Sequence, residues 1–246
     1  MDKMLYTATN GARQAMQAQT TISHNLANVS TVGFKSHFNT FTSWHVEGPG
    51  LNTRVMNQQS ADDIDLSYGS IVKTERELDV AINGDGFIAV QTANGGEAYT
   101  RAGDLRLDSA GRLTTGQGHV VIGNAGPIAL PPAEKIDIGF DGTISIRPVG
   151  QEASAMVIAE RIKLVKPDAA QLTKTDDGLF QLRSGLIEPA APDVHLESGM
   201  LEQSNVNAVG QMIELISNAR QFETNIKLMQ EAKSNDEVSA RLLRNS

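Results

Sequence analysis

Apolar positions near the start of the chain recur at alternating three- and four-residue steps: Leu5, Ala8, Ala12 and Ala15, then Gln19 in one polar seam position, then Ile22 and Leu26. This spacing predicts an amphipathic helix with one narrow stripe, whose small residues let a partner helix approach closely. Asn28, Ser30 and Thr31 compete for backbone hydrogen bonds and Gly33 admits a positive φ, so the helix is expected to end near Asn28. At the other end Val209, Met212, Ile216, Ala219, Phe222, Ile226 and Met229 recur at steps of three or four. They follow Ser204-Asn205-Val206-Asn207, where Ser204, Asn205 or Asn207 can supply an N-cap oxygen. These are the only comparable helical segments, and each is the expected partner of the other.

Between them the period changes. Residues 36–77 are rich in Ser, Thr, Asn, Gln and Asp, with Gly48-Pro49-Gly50 inside, and read as an extended arm with short strands. Phe38, Phe41 and Trp44 stand three apart there; with Phe34 they are expected to anchor the arm, or to form an aromatic surface for a partner subunit. Over residues 78–192, strand-length runs such as Leu78–Ile82, Phe87–Gln91, Leu105–Leu107 and Thr143–Ile146 alternate with turn formers. Among the turn formers are Asn83-Gly84-Asp85-Gly86, Asp141-Gly142 and Asp176-Asp177-Gly178. Asp141-Gly142-Thr143 is the cleanest hairpin signal, and Glu188-Pro189-Ala190-Ala191-Pro192 reads as a stiff connector back to the helical end. The fold class is therefore α+β: N- and C-terminal helices pair as a coiled-coil-like unit, with an antiparallel β-rich domain inserted. The expected division is 1–35, 36–77, 78–192 and 193–246.

Composition narrows the function. A chain of 246 residues can bury a core of its own, and the absence of cysteine removes disulfides, thiolate metal sites and thiol nucleophiles. With 21 Lys plus Arg against 29 Asp plus Glu, a net charge of −8 argues against nucleic acid or anionic lipid as a general partner. No window approaches the ~18 consecutive apolar residues of a membrane span. The Met1-Asp2-Lys3 start has no apolar run of a cleavable signal behind it.

The candidate chemistry is sparse. Gly84-Asp85-Gly86 lacks the spacing of a nucleotide loop and no helix is expected after it. Asp62-Asp63-x-Asp65 crowds carboxylates but lacks the glycine and distal glutamate of a calcium loop. The histidines at 24, 37, 45, 119 and 195 show no i, i+4 pair or carboxylate partner. No catalytic residue, cofactor site or metal site is assigned.

One string does carry a specific signal. Asn25-Leu26-Ala27-Asn28-Val29-Ser30-Thr31-x-Gly33-Phe34-Lys35, paired with Ser204-Asn205-Val206 ahead of a C-terminal helix, resembles the flagellar basal-body rod and hook family of axial proteins. Leu78-Asp79-Val80-Ala81-Ile82-x-Gly84-x-Gly86-Phe87 and Tyr99-Thr100-Arg101-x-Gly103 are similar to the family's middle signature, so the resemblance covers essentially the whole chain. The Met-Asp-Lys start, Asn218–Glu223, Asp236-Glu237 and the short arm look like the proximal rod members.

The resemblance implies a structural subunit without enzymatic activity, assembling with other rod proteins and with itself in a helical tube, and transmitting torque. It further implies residence in the flagellar basal body where the rod crosses the periplasm, and export without signal cleavage through the flagellum's own channel. The assembly contacts it points to are Leu5, Ala8, Ala12, Ala15, Ile22, Asn25, Leu26, Asn28, Val29, Gly33 and Phe34. On the C-terminal side they are Asn205, Val206, Met212, Ile213, Ile216, Ala219, Phe222 and Ile226. Two alternatives stand beside this reading: a distal rod member, and a soluble ligand- or partner-binding module dimerised by its helices.

Overall fold

A computed structural model describes residues 3–45, 55–150, 156–175 and 177–244. Gly48-Pro49-Gly50 and Asp176 lie outside the described residues. The chain forms two compact units: Met1–Val29 with Ser36–Asp65 and Val206–Ser246, and Ser30–Lys35 with Leu66–Asn205.

In the first unit, α1 (Lys3–Ala27) is followed by a two-stranded antiparallel ribbon of β1 (His37–His45) and β2 (Val55–Ile64), and α2 (Ala208–Arg244) closes the unit. The first helix stops one residue before Asn28, whose backbone N–H and side-chain amide both return to His24 O, at 3.3 and 2.9 Å. The second is capped by Asn207, whose Oδ1 accepts the Gly210 N–H at 3.1 Å.

The helices run antiparallel, since Asn25 meets Gln211, Ala15 meets Asn218 and Gly11 meets Asn225. Ala8, Ala12, Ala15, Ile22 and Asn25 are the buried positions on α1. Gln19 is exposed, and half-buried Ala18 stands in its place in the seam. Asn25, rather than Leu26, completes the stripe. Its amide donates to His37 O at 2.8 Å and accepts from His37 N at 2.9 Å, tying the ribbon to the helix.

On α2 the seam is Leu215, Asn218, Phe222, Met229 and Ala232, whereas Val209, Met212 and Ile216 are turned outward. At Gly11 a Cβ would lie 2.9 Å from the Asn225 side chain, and Asn218 Nδ2 donates to Ala15 O at 2.7 Å. Amides thus set the register where the alanines alone would permit sliding.

The second unit is β-rich and antiparallel in all its strand pairs. Its largest sheet, eight-stranded among the described residues, runs in the order Leu172–Lys174, Phe180–Leu182, Glu97–Thr100, Phe87–Gln91, Val120–Val121, Leu113–Thr115, Leu105–Leu107. Leu164–Val165 pairs the central strand Phe87–Gln91 at one end, and that strand is nearly all apolar because both its faces are covered.

A three-stranded sheet of Ala133–Ile138, Thr143–Pro148 and Val157–Arg161 contributes Ile136, Ile138, Ile144 and Ile146 to the same core. Its first hairpin turns at Asp141-Gly142, with Gly142 at φ 85° and Asp141 Oδ1 accepting the Thr143 N–H. Two short pairs, Val80–Asn83 with His195–Ser198 and Ile71–Lys73 with Met200–Glu202, bring the start and the end of this unit together. The buried Tyr99 hydroxyl accepts the Glu188 N–H at 2.8 Å, fastening the proline-bounded connector; burial pushes this phenol up to about 12.

Ile144 is fully buried in the shared core. Ile144→Ala is expected to destabilise the β-rich unit by about 2–5 kcal/mol through lost burial and a residual cavity. Urea unfolding followed by near-UV circular dichroism of Tyr99 and its neighbours measures this.

Candidate functional site

The strings singled out in the sequence end at one place in the second unit. Lys35, Arg101 and Glu202 are each no more than 4% exposed. Glu202, from the strand Met200–Glu202, receives Lys35 Nζ on Oε1 at 2.7 Å and Arg101 Nε on Oε2 at 2.6 Å. The Gly69 N–H is the third donor to the carboxylate and the second on Oε1, at 2.9 Å.

Each cation is also held by backbone oxygens. Lys35 Nζ donates to Ser67 O at 2.6 Å, and the Arg101 guanidinium donates to the carbonyls of Gly84 and Gly86, at 3.1 and 2.9 Å from Nη1. The Gly84-Asp85-Gly86 turn is thus an arginine cradle that offers carbonyls, the opposite polarity to a phosphate loop. Tyr68 lies across both cations, its ring centroid 5.3 Å from Arg101 Cζ and 5.8 Å from Lys35 Nζ, and its hydroxyl donates to Asp85.

The backbone closes around the charges. Gly33 N–H donates to Glu202 O at 2.8 Å and Asn205 N–H to Phe34 O at 3.3 Å, which joins the end of the N-terminal string to the C-terminal one. Gly33 has φ 67°, and a Cβ on it would stand 2.3 Å from Arg101 C, so both its conformation and its space demand glycine. Gly103 is equally confined, with a Cβ falling 1.7 Å from Val80 O. Residues 30, 35, 66 and 205 end the stretches of this unit at which the chain passes to the other one, and the cluster binds the last three of these ends to one another on the β-rich side.

Burial on its own would raise the Glu202 carboxyl. The bond from Lys35, the Arg101 charge and the Gly69 N–H outweigh it and hold the carboxyl below its ordinary 4.5.

Beside the cluster, Lys174 Nζ sits 3.9 Å above the Phe34 ring and donates to Lys35 O at 3.0 Å. Burial lowers this ammonium to about 8. Phe34 is the buried member of the aromatic series; Phe41 is half-buried, while Phe38 and Trp44 are exposed on the ribbon.

Of the other expected contact residues, all in the first unit except Asn205, Leu5, Leu26, Val29, Val206, Ala219, Phe222 and Ile226 are half-buried, as is Asn205. Met212, Ile213 and Ile216 lie outward on α2. Among the described residues no group of three or more His, Asp or Glu is placed to hold a metal ion. His24 and His37 stack edge-on at 5.0 Å in the first unit. A cleft of about 220 Å³ in the second unit is lined by Arg161, Leu164 and Pro192, and the Arg161 Nε is committed to Asp141 O at 2.8 Å.

Glu202 and Lys174 went unnoticed in the sequence. Nothing in the pattern marks a glutamate as buried when its cations stand 101 and 167 residues away. The one available signal was the lysine and the arginine inside otherwise apolar, glycine-rich strings.

These features define a structural protein: a glycine-lined clamp of buried charges in one unit, and a pair of terminal helices with outward apolar residues in another. Family models described as flagella basal body rod protein, flagellar hook protein FlgE/F/G D1 domain and flagellar basal body rod FlgEFG protein C-terminal match residues 5–35, 81–146 and 197–242. The flagellar basal-body rod protein FlgF of Escherichia coli K12 is 42% identical over 241 residues, 96% of each chain. FlgF of Salmonella typhimurium LT2 is 39% identical over 99% of each chain, and FlgG of Bacillus subtilis 168 is 32% identical over 99% of this chain and 98% of its own. The chain belongs to the family of flagellar basal-body rod proteins.

Two titrations follow. A carboxyl held below its unfolded value adds stability above pH 4.5 that is lost as pH falls through the folded value. Glu202→Gln should remove that acid-side dependence. It should also cost about 3–5 kcal/mol at pH 7 by leaving two buried cations without their anion, read as urea midpoints from pH 3 to 7.

For Lys174 the sign is the reverse. Between its folded value of about 8 and its ordinary 10.5 the unfolded chain binds more protons, so this residue makes stability rise with pH. The difference in unfolding free energy between Lys174→Met and the parent, measured at pH 7.5 and pH 10, should shift in the parent's favour at the higher pH.

Proposed function

We propose that the chain is a structural subunit of the bacterial flagellar basal-body rod, of the proximal kind, working by packing and without catalysis. Its partners in this reading are other rod subunits and further copies of itself in a helical tube spanning the periplasm. It would reach that place through the flagellum's own export channel without losing a signal peptide. The terminal helices pair as a coiled-coil-like unit and carry the assembly contacts, and the clamp of Lys35, Arg101 and Glu202 gives their connections to the β-rich unit a stiff footing.

The observation that best supports this is the meeting of the N-terminal, middle and C-terminal family strings at one buried ionic cluster whose charges are bonded to one another and to backbone groups. A load-bearing joint needs fixed, fully bonded charges; an active site needs an accessible group with unfilled hydrogen-bonding capacity. The outward Met212, Ile213 and Ile216 add a surface suited to neighbouring helices.

Deletion of the gene should abolish swimming, and a tagged parent chain should restore it and co-purify with isolated basal bodies at fixed stoichiometry. Restored swimming with the chain absent from basal bodies, or normal swimming without the gene, would overturn the assignment.

A further inference from the structure

Two apolar surfaces of the first unit are uncovered, and they differ in shape. The ribbon is hydrogen-bonded to α1: Asn39 Nδ2 donates to Thr21 Oγ1 at 2.9 Å, and Gln14 Nε2 donates to Asn57 O at 2.9 Å. Because side chains alternate along a strand, Phe38, Thr40, Thr42 and Trp44 occupy the opposite side, with Met56 across from Trp44 and Asp63 across from Phe38. Phe38 and Trp44 are 47% and 61% exposed there. Phe41 alternates onto the helix side and is half-buried, whereas Phe38 and Trp44 on the other side are left in solvent, and a two-stranded ribbon is marginal without a covered face.

The second surface is on α2. Val209, Met212, Ile213 and Ile216 fall at i, i+3, i+4 and i+7, so they form one stripe, and each is between 50% and 67% exposed. Arg220 continues the stripe one turn beyond Ile216, exposed and with no carboxylate within 4.0 Å among the described residues.

We propose that the Phe38–Trp44 face of the ribbon in one copy of this chain packs on the Val209–Ile216 stripe of the next copy. The dimensions agree: Phe38 to Trp44 spans about 20 Å of strand, and Val209 to Arg220 about 17 Å of helix. The charges agree in one direction only. With Trp44 and Met56 over Val209, Phe38 and its cross-strand neighbour Asp63 fall about 20 Å further along the ribbon, close to Arg220 at about 17 Å along the helix, so the Asp63 carboxylate comes beside the Arg220 guanidinium. Among the described residues Asp63 is bound in its own chain by the neutral Thr40 hydroxyl, at 3.1 Å.

A flat ribbon on a helical stripe is a heterologous contact, which propagates from copy to copy as a ring or, where the rotation does not close, as a helical array, whereas like-on-like pairing of either surface would stop at a two-fold dimer. The inference rests on the rod reading for the presence of a next copy, and it names the surfaces that meet.

The cysteine-free chain allows a direct test. Two differently tagged forms, Trp44→Cys and Met212→Cys, are co-expressed in the deletion strain, and isolated basal bodies are oxidised. A disulfide-linked species carrying both tags is expected. Only 44–44 or 212–212 species, or no disulfide although both forms are present in basal bodies, would overturn the contact while leaving the rod assignment standing. Absence of the parent chain from basal bodies would instead remove the rod assignment itself.

Charge reversal gives a second readout that does not depend on cysteine. Asp63→Arg and Arg220→Asp should each reduce swimming several-fold with unchanged circular dichroism of the purified chain, and the double reversal should recover at least half of the loss. Single variants that swim like the parent, or a double variant no better than the singles, would overturn the pairing.

Discussion

Glu202 is the residue on which the β-rich unit closes, because its carboxylate is bonded to both Lys35 and Arg101 and all three side chains are buried. Taking three charges out of water is costly, and a well-packed apolar trio of the same volume could equal the cluster in stability. What apolar side chains could not supply is direction. The guanidinium plane fits the carbonyls of Gly84 and Gly86, the ammonium reaches Ser67 O, and each carboxylate oxygen has its own cation, so one arrangement of five chain segments satisfies all of them. The glycines follow from this: segments drawn that close leave no room for a Cβ at positions 33, 69 and 103.

The helical unit obeys a different economy. Ala8, Ala12 and Ala15 bury little apolar area apiece, and the partners they meet include Asn218 and Asn225. Small residues permit close approach and amides fix register, so the pair is specific before it is strong. A globular protein would turn its larger apolar residues inward. Here Phe38, Trp44, Met212, Ile213 and Ile216 remain outside, which fits a proposed subunit whose burial is completed by neighbours.

In both units the polar side chains that fix the fold are engaged in contacts. The perturbed groups support the same view. Glu202 is held ionised by two cations, Tyr99 is raised by burial while its hydroxyl fastens a connector, and Lys174 is lowered by burial while resting on Phe34. Each is already committed to a structural bond.

Much of this architecture was legible in the sequence, since it depends on local rules. The three-and-four spacing marked both helices, Asn28 and Gly33 marked the end of the first, and Asp141-Gly142 marked a hairpin that forms as read. The family strings marked the positions of the clamp without revealing what they do. Tertiary structure decided the rest. A shift of about 100° per residue on a helix separates Gln19 from Ala18 and Leu26 from Asn25, and only the amide bridge from Asn25 to the ribbon shows which of each pair turns inward. On α2 the same spacing that predicted a seam with α1 places Val209, Met212 and Ile216 on the outer side, because periodicity gives the existence of a stripe and not the partner it faces. Glu202 was beyond reach for a related reason: a charge is buried by residues far away in the chain, and no local pattern records their arrival.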